Sequence, residues 1–593
     1  MDRKSIILLG ACFVLLVSWP FLMQKFYPPK PLPARGANAP TAGTAASNGL
    51  AETGTAEATM TSTSAPPRSF IAPSAPEQLL EVTNENARYI FTSHGGGLKL
   101  IELIKYPEVV SRSRKDAPGP VATLNTQAPV PVLAVLGGAA AEGDGLFQLT
   151  RTATGVRAEK TLPNGLKVVK DFRLSTNYLL AASVRLLNTS AQSITLPEQE
   201  WVVGTATPMS PDDTGLAEGL LWYDGTRVQN VARPWFDNRT LGCLPGQPRY
   251  EYQGGASNVV WAAVHNQFFA LVAMPSQPAL AVVARPVPLP RPDSWLTHPR
   301  TRNRPPPQGY QVALAYPPVT LAPEQALERQ IVFYGGPKEY RMLAQLADRF
   351  NNNLDLVMGF GGFFGFFAKL LLLSMNGLHD LLGLGYGWII ILITVIIKAV
   401  FWPLTQASTR SMKRMQALQP QMKALQERYK DDPAKMNKKL MEFMKENKVS
   451  PMGGCLPMVI QLPIFFGFYR MIQSAIELRG ARFLWVKDLS KPDTLAYLPG
   501  ADWPINPLPL VMGITMLWQS RLTPPSPGMD PTQQKIMKYM PLMFLFILYN
   551  FSAGLTLYWT VQNLLTIAQM KLTRSQDKTA VVVPPAPAPK KKR

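Results

Sequence analysis

The chain has 593 residues, with 60 Lys+Arg against 39 Asp+Glu and 3 Cys. That length allows about three or four domains. Apolar runs crowd the first 25 residues and the region after Leu354, which excludes a wholly soluble chain and indicates a polytopic membrane protein with one large extramembrane domain. The net charge of +21 does not indicate a DNA partner, because much of the excess flanks apolar runs, as basic cytoplasmic loops do.

Arg3-Lys4 precede an apolar stretch from Ile6 to Met23. Leu9-Gly10-Ala11-Cys12 approaches a lipoprotein cleavage box, but the apolar run continues through Phe13–Val17, and Ala37-Asn38-Ala39 lies too far on for ordinary cleavage. Residues 1–27 therefore read as an uncleaved transmembrane anchor with a cytoplasmic N-terminus. Residues 28–76, dominated by Ala, Pro, Thr, Ser and Gly, cannot bury enough apolar area to offset chain entropy and read as a disordered linker.

From 77 to 340 the pattern has period two. Tyr178, Leu180, Ala182, Val184 and Leu186 alternate as on a half-buried strand. Pro163-Asn164-Gly165 between Val156–Leu162 and Leu166–Leu174 signals a hairpin. An antiparallel β-sandwich is the expected fold here. Cys243 is its only cysteine, so no disulfide forms within it. Catalytic chemistry is not in evidence. His94, His265, His298 and His379 form no H-E-x-x-H set, no C-x-x-C or Walker A loop occurs, and Gly95-Gly96-Gly97 reads as a turn. No enzyme activity, metal or cofactor is expected. Trp222, Tyr223 and Trp235 read as packing more readily than as a glycan or peptide cleft.

Five apolar runs follow, at Leu356–Leu382, Tyr386–Leu404, Gly454–Ile476, Leu508–Trp518 and Ile536–Ile567. Asn550-Phe551-Ser552-Ala553-Gly554 breaks the last into two helices. Thr405–Gly453 carries eleven basic and five acidic residues, while Glu477–Asn506 carries four of each. The first loop is therefore cytoplasmic and the second external. With the β-domain also external, only Tyr386–Leu404 can cross between it and the basic loop, so Leu356–Leu382 is expected along the outer interface. The expected order is a connecting region with an interfacial amphipathic helix (341–385), span 2 (386–407), a basic cytoplasmic helical hairpin (408–452), span 3 (453–476), an external loop (477–506), span 4 (507–522), a cytoplasmic loop (523–535), spans 5 and 6 (536–573) and a basic cytoplasmic tail (574–593). That gives six spans with both termini inside.

Polar residues interrupt these runs in stripes. Thr394, Lys398 and Thr405 share one helix face, as do Tyr558, Gln562 and Gln569, with Trp559 and Asn563 one residue round. Gln461 lies between Pro457 and Pro463. Each neutral group alone reads as an ordinary interhelical hydrogen bond. Lys398 differs, because a cation mid-membrane costs about 2.5–3.5 kcal/mol and these spans offer no central acid. Snorkelling to the cytoplasmic interface is one outlet; a water-filled, cytoplasm-facing concavity is the sharper one. The basic loop reads as helices Gln406–Lys430 and Pro433–Asn447, with Met412, Met415, Met422, Met436, Met441 and Met444 along them. These methionines fit either mutual packing of the two helices or an adaptable surface for apolar partners.

Tyr386–Gln406, Leu418-Gln419-Pro420, Leu425-Gln426-Glu427-Arg428-Tyr429, Pro451-Met452-Gly453-Gly454-Cys455-Leu456-Pro457, Gln461-Leu462-Pro463-Ile464-Phe465 and Gly554-Leu555-Thr556-Leu557-Tyr558-Trp559 with Asn563 resemble the YidC/Oxa membrane protein insertase family. The β-domain is similar to the periplasmic domain of its Gram-negative members, notably at Gly95-Gly96-Gly97 and Trp261, Gln267-Phe268-Phe269-Ala270 and Pro275. The resemblance implies a multi-pass protein of the Gram-negative inner membrane, with five core spans around a hydrophilic groove closed externally. It implies insertion of nascent membrane proteins without nucleotide hydrolysis, alone or with the Sec translocon and its accessory subunits, in contact with lipid. A substrate groove of Lys398, Thr394, Gln461, Tyr558, Trp559, Gln562 and Asn563 follows, with Met412, Met415, Met422, Met436, Met441 and Met444 as client contacts on the hairpin. Relatives mostly carry arginine where Lys398 stands, which keeps the charge and loses the bidentate fork. For the basic tail, ribosomal RNA or acidic lipid are the alternatives to plain solvation. Two other classes fit parts of the chain: a transporter or channel for small anions, and a tethered glycan-binding sensor.

Overall fold

The computed structural model describes residues 70–110, 120–209, 213, 217–238, 246–298, 301–302, 304–430, 432–447, 456–498, 503–522 and 531–576. The expected anchor, nearly all of the linker, most of the tail and the Pro451–Cys455 motif lie outside them. The chain divides into two compact units, one holding the strands up to Pro337 together with 344–357, the other holding 338–343 and the chain from Met358 onward.

The first unit is built on two antiparallel sheets. Nine strands run in the spatial order Val228–Ala232, Gly219–Tyr223, Trp261–His265, Phe269–Pro275, Ala326–Pro337, Leu179–Asn188, Leu166–Leu174, Gly155–Thr161 and Gln148–Arg151. Five more run Tyr252–Gly254, Ala281–Pro288, Gln308–Tyr316, Gln199–Ala206 and Val135–Leu136. The Gln199–Ala206 and Gln308–Tyr316 strands pack against Trp261–His265 of the larger sheet. The core between them holds Trp201 and Trp261, both fully buried, and the Trp261 indole N–H donates to the Asn352 carbonyl at 2.9 Å. The period-two reading matches the structure, since Tyr178, Leu180, Ala182, Val184 and Leu186 are all buried. The expected hairpin pairs Gly155–Thr161 with Leu166–Leu174. Gly165 at its turn has φ +82°, in the left-handed region that glycine alone enters freely. A smaller four-stranded sheet, Leu79–Thr83, Ala87–Thr92, Gly97–Pro107 and Val121–Leu124, adds to this unit.

The longer helices are α1 (Tyr340–Phe350), α2 (Gly362–Leu382), α3 (Tyr386–Val400), α4 (Trp402–Ala417), α5 (Gln419–Arg428), α6 (Pro433–Glu446), α7 (Leu456–Ser474), α8 (Pro507–Leu522), α9 (Pro531–Leu548) and α10 (Ala553–Gln576). The helix expected over Gln406–Lys430 is divided at Leu418. Pro420 explains the break, because its ring clashes with the carbonyl four residues back and it lacks an N–H. Asp432 caps α6, its carboxylate accepting the Lys435 N–H at 3.0 Å, and Pro433 occupies the first turn, where a missing N–H is harmless. The α9–α10 break falls at residues 549–552, as the Asn550–Gly554 signal indicated.

Among the described residues no single helix is long and apolar enough to cross a membrane; α2 and α3 pass that test only as a pair bent by 116°. The corner is Gly383-Leu384-Gly385, where Gly383 at φ +64° closes α2 by donating its N–H to the His379 carbonyl. One face of α2, with Ala368, Leu372 and Met375, is buried, while Phe366, Leu370 and Leu381 stand out exposed.

Candidate functional site

The helical unit exposes apolar side chains and holds polar ones among a buried apolar core that includes Ile389, Ile393, Phe468, Ile472 and Leu555. Trp388, Val395, Ile396, Ile514, Trp518, Leu542, Phe546 and Ile547 are exposed, whereas Thr394, Lys398, Thr515, Thr556, Thr560, Asn563 and Gln569 are buried. In water the hydrophobic effect disfavours so much apolar exposure, and exposed apolar surface of this extent marks a partner that is itself apolar.

The inward polar groups form a seam along α10. Tyr558, Gln562, Thr566 and Gln569 succeed one another at i, i+4, i+8 and i+11 on one helix face. Each meets a side chain from another helix. The Gln461 amide of α7 donates to the Tyr558 hydroxyl, and the Gln562 amide donates to Gln461 Oε1 at 3.1 Å. Lys398 Nζ of α3 donates to Thr566 Oγ1 at 2.9 Å, and Thr566 passes its own proton to the Gln562 carbonyl at 2.7 Å. Gln569 Nε2 donates to Thr405 Oγ1 of α4 at 2.8 Å. The Tyr558 ring is held by Phe468, stacked 4.2 Å away.

Lys398, Gln461, Tyr558 and Gln562 therefore come together, and three other candidates stand differently. Thr394 is fully buried on α3 with its hydroxyl donating to the Ile390 carbonyl at 2.6 Å, a bond within its own helix. Asn563 turns toward α8, its amide donating to Thr515 Oγ1 at 3.2 Å. Trp559 sits edge-on to Phe465 at 4.7 Å and near Phe544. Lys398 is 7% exposed, and among the described residues no carboxylate pairs with it. Thr566 escaped the sequence reading, although its spacing midway between Gln562 and Gln569 was a usable signal.

A second set of polar contacts joins the loop before α8 to the starts of α8 and α10. Asn506 is fully buried; it accepts the Thr494 hydroxyl at 2.7 Å and donates to the Tyr549 carbonyl at 2.9 Å. Asp493 accepts the Leu508 N–H at 2.7 Å at the start of α8 and the Trp485 indole N–H at 3.0 Å. The Ala553 and Gly554 N–H groups at the start of α10 donate to the Lys491 and Leu489 carbonyls, each at 2.8 Å. The loop before α8 thus supplies partners that the two helix starts need.

On the hairpin, Met415 and Met422 are buried with Leu440, and Met436 and Met444 pack against them. Their flexible side chains fill the space between α4, α5 and α6, so these four serve the packing of the hairpin itself. Met441 is 61% exposed, and the side chain of Met412 lies outside the described residues. Met422→Glu is expected to loosen the hairpin by about 2 kcal/mol or more, as an uncompensated buried polar group does, while Met441→Glu leaves it intact. Limited proteolysis between α4 and α6 distinguishes them; equal cleavage of both variants contradicts this packing.

In the first unit the aromatic candidates are structural. Trp222 and Tyr223 are buried, the Trp222 N–H donating to Tyr252 at 3.0 Å and Tyr223 stacking on Trp261. Trp235 lies under Arg249 at 4.6 Å. Gly95 and Gly96 form a turn with φ of +72° and +55°. Lys170, which the sequence reading passed over, is buried beneath that turn. Its Nζ donates to the Gly95 and Leu133 carbonyls, each at 2.7 Å, and lies 4.6 Å from the Phe147 ring. Burial pushes its ammonium down to about 7. No group of metal-binding side chains occurs among the described residues.

Comparison with known proteins covers both units. The profile described as 60Kd inner membrane protein matches residues 377–580, and that described as YidC periplasmic domain matches 79–373. The protein named membrane protein insertase YidC from Paraburkholderia phytofirmans is 34% identical over 71% of this chain and 69% of its own length. Its namesake from Pelobacter propionicus is 44% identical over 43% of this chain, and there the match spans about half of the relative, 46% of its length. A solved structure titled active YidC insertase with the first transmembrane domain resolved aligns over 85% of this chain and 94% of its own, at 17% identity and a TM-score of 0.34. With matches across both the strand-built and the helical unit, the chain belongs to the YidC/Oxa family of membrane protein insertases.

Proposed function

We propose that this chain is a membrane protein insertase and membrane chaperone, resident in the Gram-negative inner membrane with its β-domain in the periplasm. The observation that carries the reading is the apolar exterior of the helical unit, with a seam of paired amides, hydroxyls and one ammonium inside it. A client's short hydrophilic tail enters the seam from the cytoplasm and exchanges hydration for Lys398, Gln461, Tyr558 and Gln562. Its apolar segment moves into lipid between α3 and α10, with Trp559 and Thr394 at the edges of the path. Transfer of about 20 Leu-like residues at −0.3 to −0.6 kcal/mol each releases ~6–12 kcal/mol, which makes nucleotide hydrolysis unnecessary for short tails.

The proposed topology has six spans: 1–27, 386–407, 453–476, 507–522 and two within 536–573. The loop charges support it, and the 116° bend between α2 and α3 supports an α2 lying along the outer interface with Phe366, Leu370 and Leu381 toward lipid. The proposed partners are nascent membrane proteins and lipid, with the Sec translocon for some clients and the ribosome near the basic tail. On the hairpin, Met441 is exposed and Met436 and Met444 are partly exposed, placing them to touch an arriving client. The test is reconstitution of the full chain, alone, in vesicles, followed by protease protection of a single-span client with a short tail. Protection well above that of protein-free vesicles, without nucleotide, is the expected result. Protection equal to theirs removes the reading.

A further inference from the structure

Away from the polar seam, a further polar pair joins α2 to the turn after α7. Asn376, on the inward face of α2, is 5% exposed, and its Nδ2 donates to Glu477 Oε1 at 2.9 Å. Glu477 lies in the 3-10 turn Ile476–Leu478 that follows α7. This bond uses one polar atom of each side chain. Among the described residues the other two, Asn376 Oδ1 and Glu477 Oε2, are buried with no hydrogen-bond partner.

Both leftover atoms are acceptors when the carboxyl is ionised, because a carboxylate has lone pairs and no proton to give. Each of these buried acceptors forgoes a bond that water would supply. A single proton removes both deficits. Placed on Oε2, it makes that atom a donor, and the only acceptor the pair leaves open is Oδ1. Acid and amide then close into a ring of two hydrogen bonds, with every polar atom of both groups engaged.

We propose that Glu477 carries a proton in the folded protein and that its acid–amide pair with Asn376 clamps α2 to the outer end of α7. The surroundings agree. Burial pushes the Glu477 carboxyl up and outweighs the hydrogen bonds from its own backbone N–H and from Asn376, which pull it down, and the like charge of Glu339 adds to the rise. Arg341 opposes it, but its guanidinium pairs with Asp380 of α2 at 2.6 Å. Tyr386 at the start of α3 is within electrostatic reach and stacks on His379 of α2 at 4.3 Å. The sign of the linkage is fixed. An acid whose folded form holds its proton more tightly than its unfolded form stabilises the fold at low pH, and that contribution disappears as pH rises through the folded value. The clamp therefore loosens as the outer compartment turns alkaline, independently of what the protein inserts.

The test uses the full chain in detergent micelles or vesicles. E477Q rebuilds the ring with an amide N–H in place of the acid O–H. The unfolding rate of the helical unit is expected to rise severalfold with pH in the wild type, as the Glu477 proton is lost, and to change much less in E477Q. Infrared difference spectra, wild type minus E477Q, are expected to show the carbonyl band of a protonated carboxyl near neutral pH. Equal pH dependence in the two proteins, or absence of that band, overturns the proposal. Should E477Q not fold, N376A decides: the carboxyl band shifts or disappears if the ring exists, and an unchanged band overturns it.

Discussion

Insertion of a client with an acidic tail falls ~5- to 30-fold when Lys398 is replaced by alanine, falls further with glutamate, and survives replacement by arginine. The size follows from where the charge sits. Two unit charges 4 Å apart interact by about 1 kcal/mol in water and about 4 kcal/mol near a protein surface, and the proposed entry of a hydrated tail places the pair toward the lower end, at ~1–2 kcal/mol. No carboxylate among the described residues neutralises Lys398; its one hydrogen bond is to the neutral Thr566 hydroxyl. An incoming carboxylate therefore meets an uncompensated cation. Arginine preserves that charge, and since the present side chain makes a single bond, a fork is not needed. Clients with neutral tails should lose less than about threefold in the alanine variant, and added salt should shrink the difference between acidic and neutral tails. Protease protection of matched clients differing only in tail charge measures this. Equal losses for both tails assign Lys398 a structural role and remove charge from client selection.

Lys170→Met should destabilise the strand-built unit by ~2–5 kcal/mol, although the volume barely changes. The ammonium bonds the Gly95 and Leu133 carbonyls, and each buried carbonyl left without a donor costs about 1–3 kcal/mol. The same group makes stability depend on pH. In the fold it loses its proton near 7, against an ordinary value of 10.5. Between about 7 and 10.5 the unfolded chain holds more protons, so stability rises with pH across that window. Glu142 is the nearest opposite charge, but its carboxylate is occupied by the N–H groups of Gly137, Gly138 and Ile71. Denaturant unfolding of the full chain, followed through the buried Trp201 and Trp261, tests both points. A Lys170→Met variant within about 0.5 kcal/mol of the wild type, or one with an unchanged pH slope, contradicts them.

The two lysines also show how far this fold and site can be read from the residues. Lys398 announces itself, because a charge within an apolar run has few physical outlets. Lys170 occupies the same kind of position in a strand, on the inward register with Leu166, Val168 and Phe172, and alternation alone exposes it. It was passed over because a lysine in a soluble domain is so commonly at the surface. The hairpin at Pro163-Asn164-Gly165 and the capped start of α6 were legible because their signals are local. The split at Leu418 was also local, but the methionine periodicity masked the effect of Pro420. The orientation of Asn563 was not legible. A helical face spans enough arc for an amide to reach either of two neighbours, and Thr515, its partner on α8, lies in a separate stretch of chain. Asn506 and Asp493 escaped for a similar reason, since several of their partners are backbone groups, which sequence does not distinguish.

The pairing within the α10 seam bears on how choosy such a site can be. A binding site with waiting, unpaired donors rewards ligands whose acceptors fall in matching places and so selects by shape. In this seam Gln461, Tyr558, Gln562, Thr566, Gln569 and Thr405 already answer one another. An arriving tail exchanges bonds one for one, and the net gain is small whichever residues it carries. If tails enter as proposed, this pairing makes the seam permissive toward unrelated tails, with the charge of Lys398 as the bias superimposed on it.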